Sequence, residues 1–214
     1  MNVRLAGDTL LLVEFEPAID PLVNERVVEL GHALRARQLP GVRDVVPGYA
    51  TLGVHFDPLR TDLLALERAV GVEGRTLETI TTLPEARVIE IPVQYGGQDG
   101  PDLEEVARFA GCSPHEVIDL HAGTAYRVYM LGFVPGFAYL GRVPAAIAAP
   151  RRRVPRDRVP AGSVGIAGQQ TGIYPIDSPG GWQLIGRTDR TMFDPSRDPA
   201  SLLSAGDTVR FVPV

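Results

Sequence analysis

Residues 155–188, PRDRVPAGSVGIAGQQTGIYPIDSPGGWQLIGRT, bring Arg158, Arg187, Gln169, Gln170, Tyr174 and the only tryptophan of the chain, Trp182, together among closely spaced glycines and prolines. Guanidinium forks bind carboxylates or phosphates, amide side chains both donate and accept, and aromatic rings supply apolar area with a polar edge. A plain structural strand has no use for that mixture, whereas a binding surface built from turns does. Tight loops packed around a buried Trp182 would account for the same residues on structural grounds.

Two neighbouring segments extend the pattern. In MLGFVPGFAYLGRVP, residues 130–144, Gly132, Gly136 and Gly141 alternate with Phe133, Phe137 and Tyr139 around Pro135. Glycine permits close backbone approach and the rings offer contact area, but core aromatics beside turns produce the same spacing. In PRRRVPRDRVP, residues 150–160, arginines 151, 152, 153, 156 and 158 stand between three prolines that keep the backbone extended. One or two of them suit a carboxylate or phosphate; Arg158, which abuts the glycine-rich run, is the first choice.

Other chemistries lack their parts. All 21 basic residues are arginine, so no lysine can hold the phosphates of a P-loop, form a Schiff base or carry biotin. His115 and His121 lie six apart rather than four, with no H-E-x-x-H or C-x-x-C pattern, so no zinc site is indicated. His121, at the end of a helical segment, is suited to capping exposed carbonyls or to serving a site. Ser163 and Ser178 are outside any G-x-S-x-G elbow. Cys112 is the sole cysteine and reads as a small residue in a helix–helix connection. No G-x-G-x-x-G dinucleotide fingerprint follows a strand.

The elements that must position these residues fall into two parts. In residues 1–71, short apolar runs around Gly7-Asp8 suggest a hairpin, and helical spacing runs from Asp20 to Leu39 before Pro40-Gly41. Two strands about Pro47-Gly48 follow, then a second helix from a Thr61 cap to about Val70. That ββαββα order predicts helices on one face of an antiparallel sheet, and 72–86 reads as a connector. Beyond it come the strand RVIEIPVQY and two helices, PDLEEVARFAG and SPHEVIDLHAG, each opened by proline. After Thr124 the short runs YRVYML, SVGIA, WQLIG, TMFD and TVRFVPV predict a small β-barrel or closed sheet.

At 214 residues with 44% hydrophobic and 22% charged content, the chain suits one large or two small globular domains. The formal charge of −5 argues against nucleic acid as an electrostatically held partner. Neither an export signal nor an apolar run of membrane-spanning length is evident, so a cytoplasmic protein with no membrane partner is expected.

Taken together, IPVQYGGQDGPDLEEVARFAG, YRVYMLGFVPGFAYLG, the 150–188 segment and the closing FDPSRDPASLLSAGDTVRFVPV strongly resemble the family of the 5-oxoprolinase B-type subunit. Its members are also labelled allophanate hydrolase subunit 1, carboxyltransferase subdomain C/D or KipI-type. The likeness runs through residues 87–214, with a weaker match before them. It implies an α+β fold: a small N-terminal α/β sandwich, residues 1–86 with the connector, then a cyclophilin-like β-barrel, residues 87–214. It also implies an amide hydrolase working on 5-oxoproline with a homologous C-type subunit and an ATP-using A-type subunit. ATP then belongs to the complex, and this chain is expected to bind none and to be inactive alone. Regulation of a histidine kinase, and the carboxyltransferase chemistry of urea metabolism, share the same motif set. Within it, Phe137, Tyr139, Gln169, Thr171, Tyr174 and Trp182 are the candidate substrate or partner contacts, with Arg158 or Arg187 for a substrate carboxylate and His121 nearby. Where members often carry cysteine after IPV, this chain has Gln94.

Overall fold

Leu11 and Val13 alternate with less buried neighbours along LLLVE, as do Leu52, Val54 and Phe56 along TLGVHF, and that two-residue period builds the first sheet. The computed structural model describes every residue except residue 78, and the chain divides into two compact units, Met1–Ala86 and Arg87–Val214. In the first unit, strands β1 (Asn2–Leu5), β2 (Leu10–Glu14), β3 (Val42–Pro47) and β4 (Thr51–Phe56) form an antiparallel sheet in the order β1-β2-β4-β3.

Helix α1 (Pro21–Ala36) opens where the Asp20 carboxylate accepts from the Leu22 and Val23 N–H groups at 2.8 and 3.0 Å. It stops short of the expected Leu39. Helix α2 (Leu63–Leu77) opens at Asp62, which accepts from the Ala65 N–H at 3.0 Å. Thr61, the expected cap, instead donates its hydroxyl to the Pro40 carbonyl. The helix also runs well past Val70, because Leu77 is needed in the core formed by Val27, Leu30, Leu34, Leu66 and Val70. Of the expected connector, 80–86 lacks regular structure, and 81–85 are all exposed.

The second unit opens with β5 (Val88–Tyr95), helix α3 (Leu103–Ala110) and helix α4 (Pro114–Ala122). A capping box between Ser113 and Glu116 starts α4, and Gly111, at φ 68°, ends α3 in the left-handed conformation that glycine tolerates. Then follow β6 (Ala125–Leu131), β7 (Ala138–Gly141), β8 (Arg156–Val159), β9 (Ser163–Ala167), β10 (Gln170–Ile173), β11 (Ser178–Gly180), β12 (Gln183–Arg187) and β13 (Thr208–Pro213). Seven of these strands close a barrel in the order β10-β7-β6-β13-β5-β12-β9, with β13 and β5 parallel and every other pair antiparallel. Strands β8 and β11 form a separate two-stranded ribbon. TMFD makes a single bridge, Phe193 to Ser201, rather than a strand. No helix among the described residues is long and apolar enough to cross a membrane.

His121 departs from the sequence expectation, because its ring neither caps carbonyls nor faces solvent; it is fully buried in the barrel unit's core. Thr171 donates its hydroxyl to the Gly165 carbonyl at 3.0 Å, so it accepts from His121 Nε2–H at 2.9 Å. The Tyr95 hydroxyl then donates to Nδ1 at 2.8 Å, and the ring stacks on Phe211 at 4.5 Å. Every ring nitrogen is satisfied in the neutral form. Burial pushes the His121 pKa down to about 3 from 6.5, and pushes the Tyr95 hydroxyl far above its ordinary value.

Two outcomes are expected. Limited proteolysis should nick the exposed segment 81–85 before it attacks either unit, which gel and mass analysis of the fragments will check. Below pH 6.5 the unfolded chain takes up a proton on His121 that the native state refuses until about pH 3. The His121 contribution is therefore complete above pH 6.5 and declines by roughly 1.4 kcal/mol per pH unit beneath it. Urea unfolding from pH 7 to 4.5 should show that excess slope in the wild type and its absence in His121→Phe.

Candidate functional site

On β9 and β10 the two-residue period separates two environments. Val164, Ile166 and Ile173 enter the barrel core, while Gly165 and Gly172, paired directly across the strands, lie beneath an aromatic cluster. A Cβ on Gly172 would stand 3.0 Å from Phe137 Cζ and 3.1 Å from Trp182 Cζ3. One on Gly180 would fall 2.4 Å from the Tyr174 hydroxyl. Bare backbone at these positions lets the rings lie directly on the strands.

Phe137 is the centre of the cluster. It meets Tyr139, Tyr174 and Trp182 edge to face at centroid distances of 4.9, 5.2 and 5.5 Å, and Phe133 at 5.6 Å. Such geometry sets positive ring edges against negative faces. Phe137, Tyr174 and Trp182 are buried; Phe133, held at φ 71°, is 61% exposed. Together with Arg151, Arg152 and Pro155 the rings line a cleft of about 350 Å³.

The arginine segment is held against this cleft by a carboxylate from a distant part of the sequence. Asp102, 3% exposed at the head of α3, does not cap its helix. Its Oδ1 accepts from Arg152 Nη1 at 2.9 Å and Arg156 Nη2 at 2.7 Å, and its Oδ2 accepts from the Leu184 N–H at 2.7 Å. The Arg152 N–H also donates to the Gly181 carbonyl at 2.8 Å. Arg151 stands 6.0 Å from the centroid of Trp182, within cation–π range.

The expected site residues divide accordingly. Phe137, Tyr139, Tyr174 and Trp182 converge on the cleft. Arg158 points elsewhere and pairs with Asp177 at 2.6 Å; the Ala161 N–H and then Arg158 hold that carboxyl below its usual range. Gln169 is exposed in the turn between β9 and β10, where its carbonyl accepts from the Val143 N–H. Thr171 is buried with His121. Arg187 donates to the Ala161 carbonyl and lines a separate polar cleft of about 330 Å³ with Gln94, Asp99 and Arg190. Sequence reasoning passed over Asp102 and the distinct placements of Arg151, Arg152 and Arg156, and it noted Phe133 in the aromatic run without giving it a site role. The run of arginines was visible, but nothing local marks an aspartate about fifty residues earlier as their partner.

Cys112 is half-buried between α3 and α4. Among the described residues no group of three or more His, Cys, Asp or Glu side chains is placed to hold a metal ion. The site's assets are an aromatic wall and guanidinium groups, which suit binding a planar or anionic group.

The family model described as carboxyltransferase domain, subdomain C and D, matches residues 1–203. A Bacillus subtilis (strain 168) protein named as the B-type subunit of 5-oxoprolinase is 43% identical over 222 residues, covering 99% of this chain and 92% of that protein. An Escherichia coli O157:H7 protein of the same name is 46% identical over 209 residues, covering 98% and 94%. The solved structure of TTHA0988 superposes with a TM-score of 0.85 at 41% identity; it covers all of this chain, which spans 40% of that longer one.

Replacing Asp102 by asparagine leaves two guanidinium groups short of their shared counter-charge. A loss of about 3 kcal/mol in unfolding free energy is expected, since removing one partner strands the others. Because the arginine segment packs on Trp182, the native emission of that sole tryptophan should also shift to the red. Urea titration followed by Trp182 fluorescence measures both.

Proposed function

The chain belongs to the carboxyltransferase domain, subdomain C and D, family, and we propose on that basis that it is the B-type subunit of a 5-oxoprolinase complex that opens 5-oxoproline to glutamate. The observation that carries this reading is the 43–46% identity, over nearly the full length of both partners, to two proteins bearing that subunit's name. The cleft supports it chemically. A five-membered lactam acid presents a flat ring and one carboxylate, and the cleft presents aromatic surface beside guanidinium groups.

An unstrained lactam resists hydrolysis because amide resonance makes its carbonyl a poor electrophile. ATP coupling removes that resistance: the lactam oxygen takes the γ-phosphoryl group and water adds to the activated carbon. The C–N bond then breaks as the nitrogen takes a proton, leaving an acyl phosphate that the second water hydrolyses to the carboxylate and free phosphate. The sum consumes 5-oxoproline, ATP and two waters and yields glutamate, ADP and phosphate. With no lysine in the chain and no Gly-rich phosphate loop, the ATP-handling groups are assigned to the A-type subunit. A homologous C-type subunit completes the site, and this chain contributes binding and orientation of the ring.

Reconstitution tests the assignment. This chain and its A-type and C-type partners are purified and mixed singly, pairwise and together, and glutamate release from 5-oxoproline with ATP is followed. Turnover is expected only in the complete mixture. Full activity without this chain would remove it from the enzyme, and full activity from this chain alone would overturn the division of labour.

A further inference from the structure

We propose that Arg151, over the ring of Trp182, is the carboxylate clamp of the aromatic cleft, and that the cleft therefore selects small flat rings bearing one carboxylate. The inference deepens the 5-oxoproline reading and rests on it for the identity of the ring. The geometry singles out this arginine by elimination among its neighbours. Arg152 and Arg156 share Asp102, and Arg158 is committed to Asp177. Among the described residues Arg151 pairs with no carboxylate, yet it lines the cleft and sits 6.0 Å from the Trp182 centroid. Its charge is thus available, and the low-polarity wall beside it strengthens any charge-assisted hydrogen bond it makes.

The electrostatic setting favours an anion more widely. Two guanidinium groups, of which that of Arg152 lines the cleft, share the single charge of Asp102, so this cluster keeps a positive excess before Arg151 is counted. Among the described residues Arg152 Nε and Arg156 Nη1 are buried with no hydrogen-bond partner, so each guanidinium keeps a donor that Asp102 does not use. A cleft of about 350 Å³ is at the small end of ligand pockets, roughly 300–1,000 Å³, which fits a metabolite. Phe133, exposed and held in a left-handed backbone conformation at the rim, gives one face for the ring, with Tyr139 in the adjacent wall. Neither arginine expected from the sequence to take the carboxylate lies here: Arg187 lines the other cleft and Arg158 faces Asp177.

Trp182 fluorescence of the isolated chain reads the binding directly. Wild type is titrated with 5-oxoproline, with neutral 2-pyrrolidone and with acetate. 5-Oxoproline should bind at least about tenfold more tightly than 2-pyrrolidone, the value of one charge-assisted contact. Arg151→Gln should erase that preference, and Arg151→Lys should keep part of it. Arg153→Gln, on the same segment but outside the cleft lining, should keep all of it. Unliganded emission and the thermal midpoint of each variant establish that it is folded. Equal affinity for lactam and lactam acid, no saturable signal, or equal losses in the Arg151 and Arg153 variants would each overturn the clamp. In the reconstituted mixture, Arg151→Gln should raise KM more than it lowers kcat. An active mixture with KM unchanged by that variant would sink the clamp and leave the place of this chain in the complex standing. An inactive mixture, with Arg151-dependent binding intact, would do the reverse.

Discussion

A buried carboxylate in low dielectric must be met by charge and hydrogen bonds, and at Asp102 that requirement draws three distant pieces of chain to one point. The head of α3 supplies the acid, β12 supplies the Leu184 N–H, and the proline-spaced segment supplies Arg152 and Arg156. The backbone repeats the connection, since the Asp102 N–H donates to the Leu184 carbonyl at 2.9 Å. A segment of five arginines would otherwise be repelled by its own charge and extend into solvent. Once two are anchored, their neighbours have little freedom. Arg151 is left beside Trp182 and Arg158 beside Asp177.

The aromatic cluster gives that anchored segment something rigid to stand on. Phe137 touches four other rings edge to face, and the paired Gly165 and Gly172 let those rings settle on the strands. Close packing of this kind resists collapse, so a concave surface survives beside buried rings. Preformed shape matters for a small ligand, whose few atoms cannot repay much reorganisation.

Polar groups in the barrel unit serve two separate ends. Around His121, Thr171 and Tyr95 every donor meets an acceptor in the neutral state, and the network belongs to the core. Its cost appears as acid sensitivity of the fold. The cleft instead takes its charge from guanidinium groups, which stay protonated throughout the neutral range. The positive charge of the cleft and the pH dependence of stability thus arise from different residues.

Features that repeat over short distances were legible in the order of the residues. Helical spacing placed α1 and α4, short apolar runs beside Gly7-Asp8 and Pro47-Gly48 placed the strands of the first sheet, and glycine with proline marked the barrel's turns. The aromatic members of the cleft, Phe137, Tyr139, Tyr174 and Trp182, were legible because their types and glycine neighbours are unusual in combination. Helix α2 outran its visible periodicity because Leu77 found a place in a core assembled from other elements. Tertiary structure alone decided which arginine faces which acid, and whether His121 and Thr171 line a cleft or fill a core. Closure of the barrel sets those choices: it pairs β13 with β5 in parallel and brings residue 102 against residues 152, 156 and 184. Local spacing records how a residue relates to its own helix or strand, and carries no trace of partners that only a closed sheet brings together.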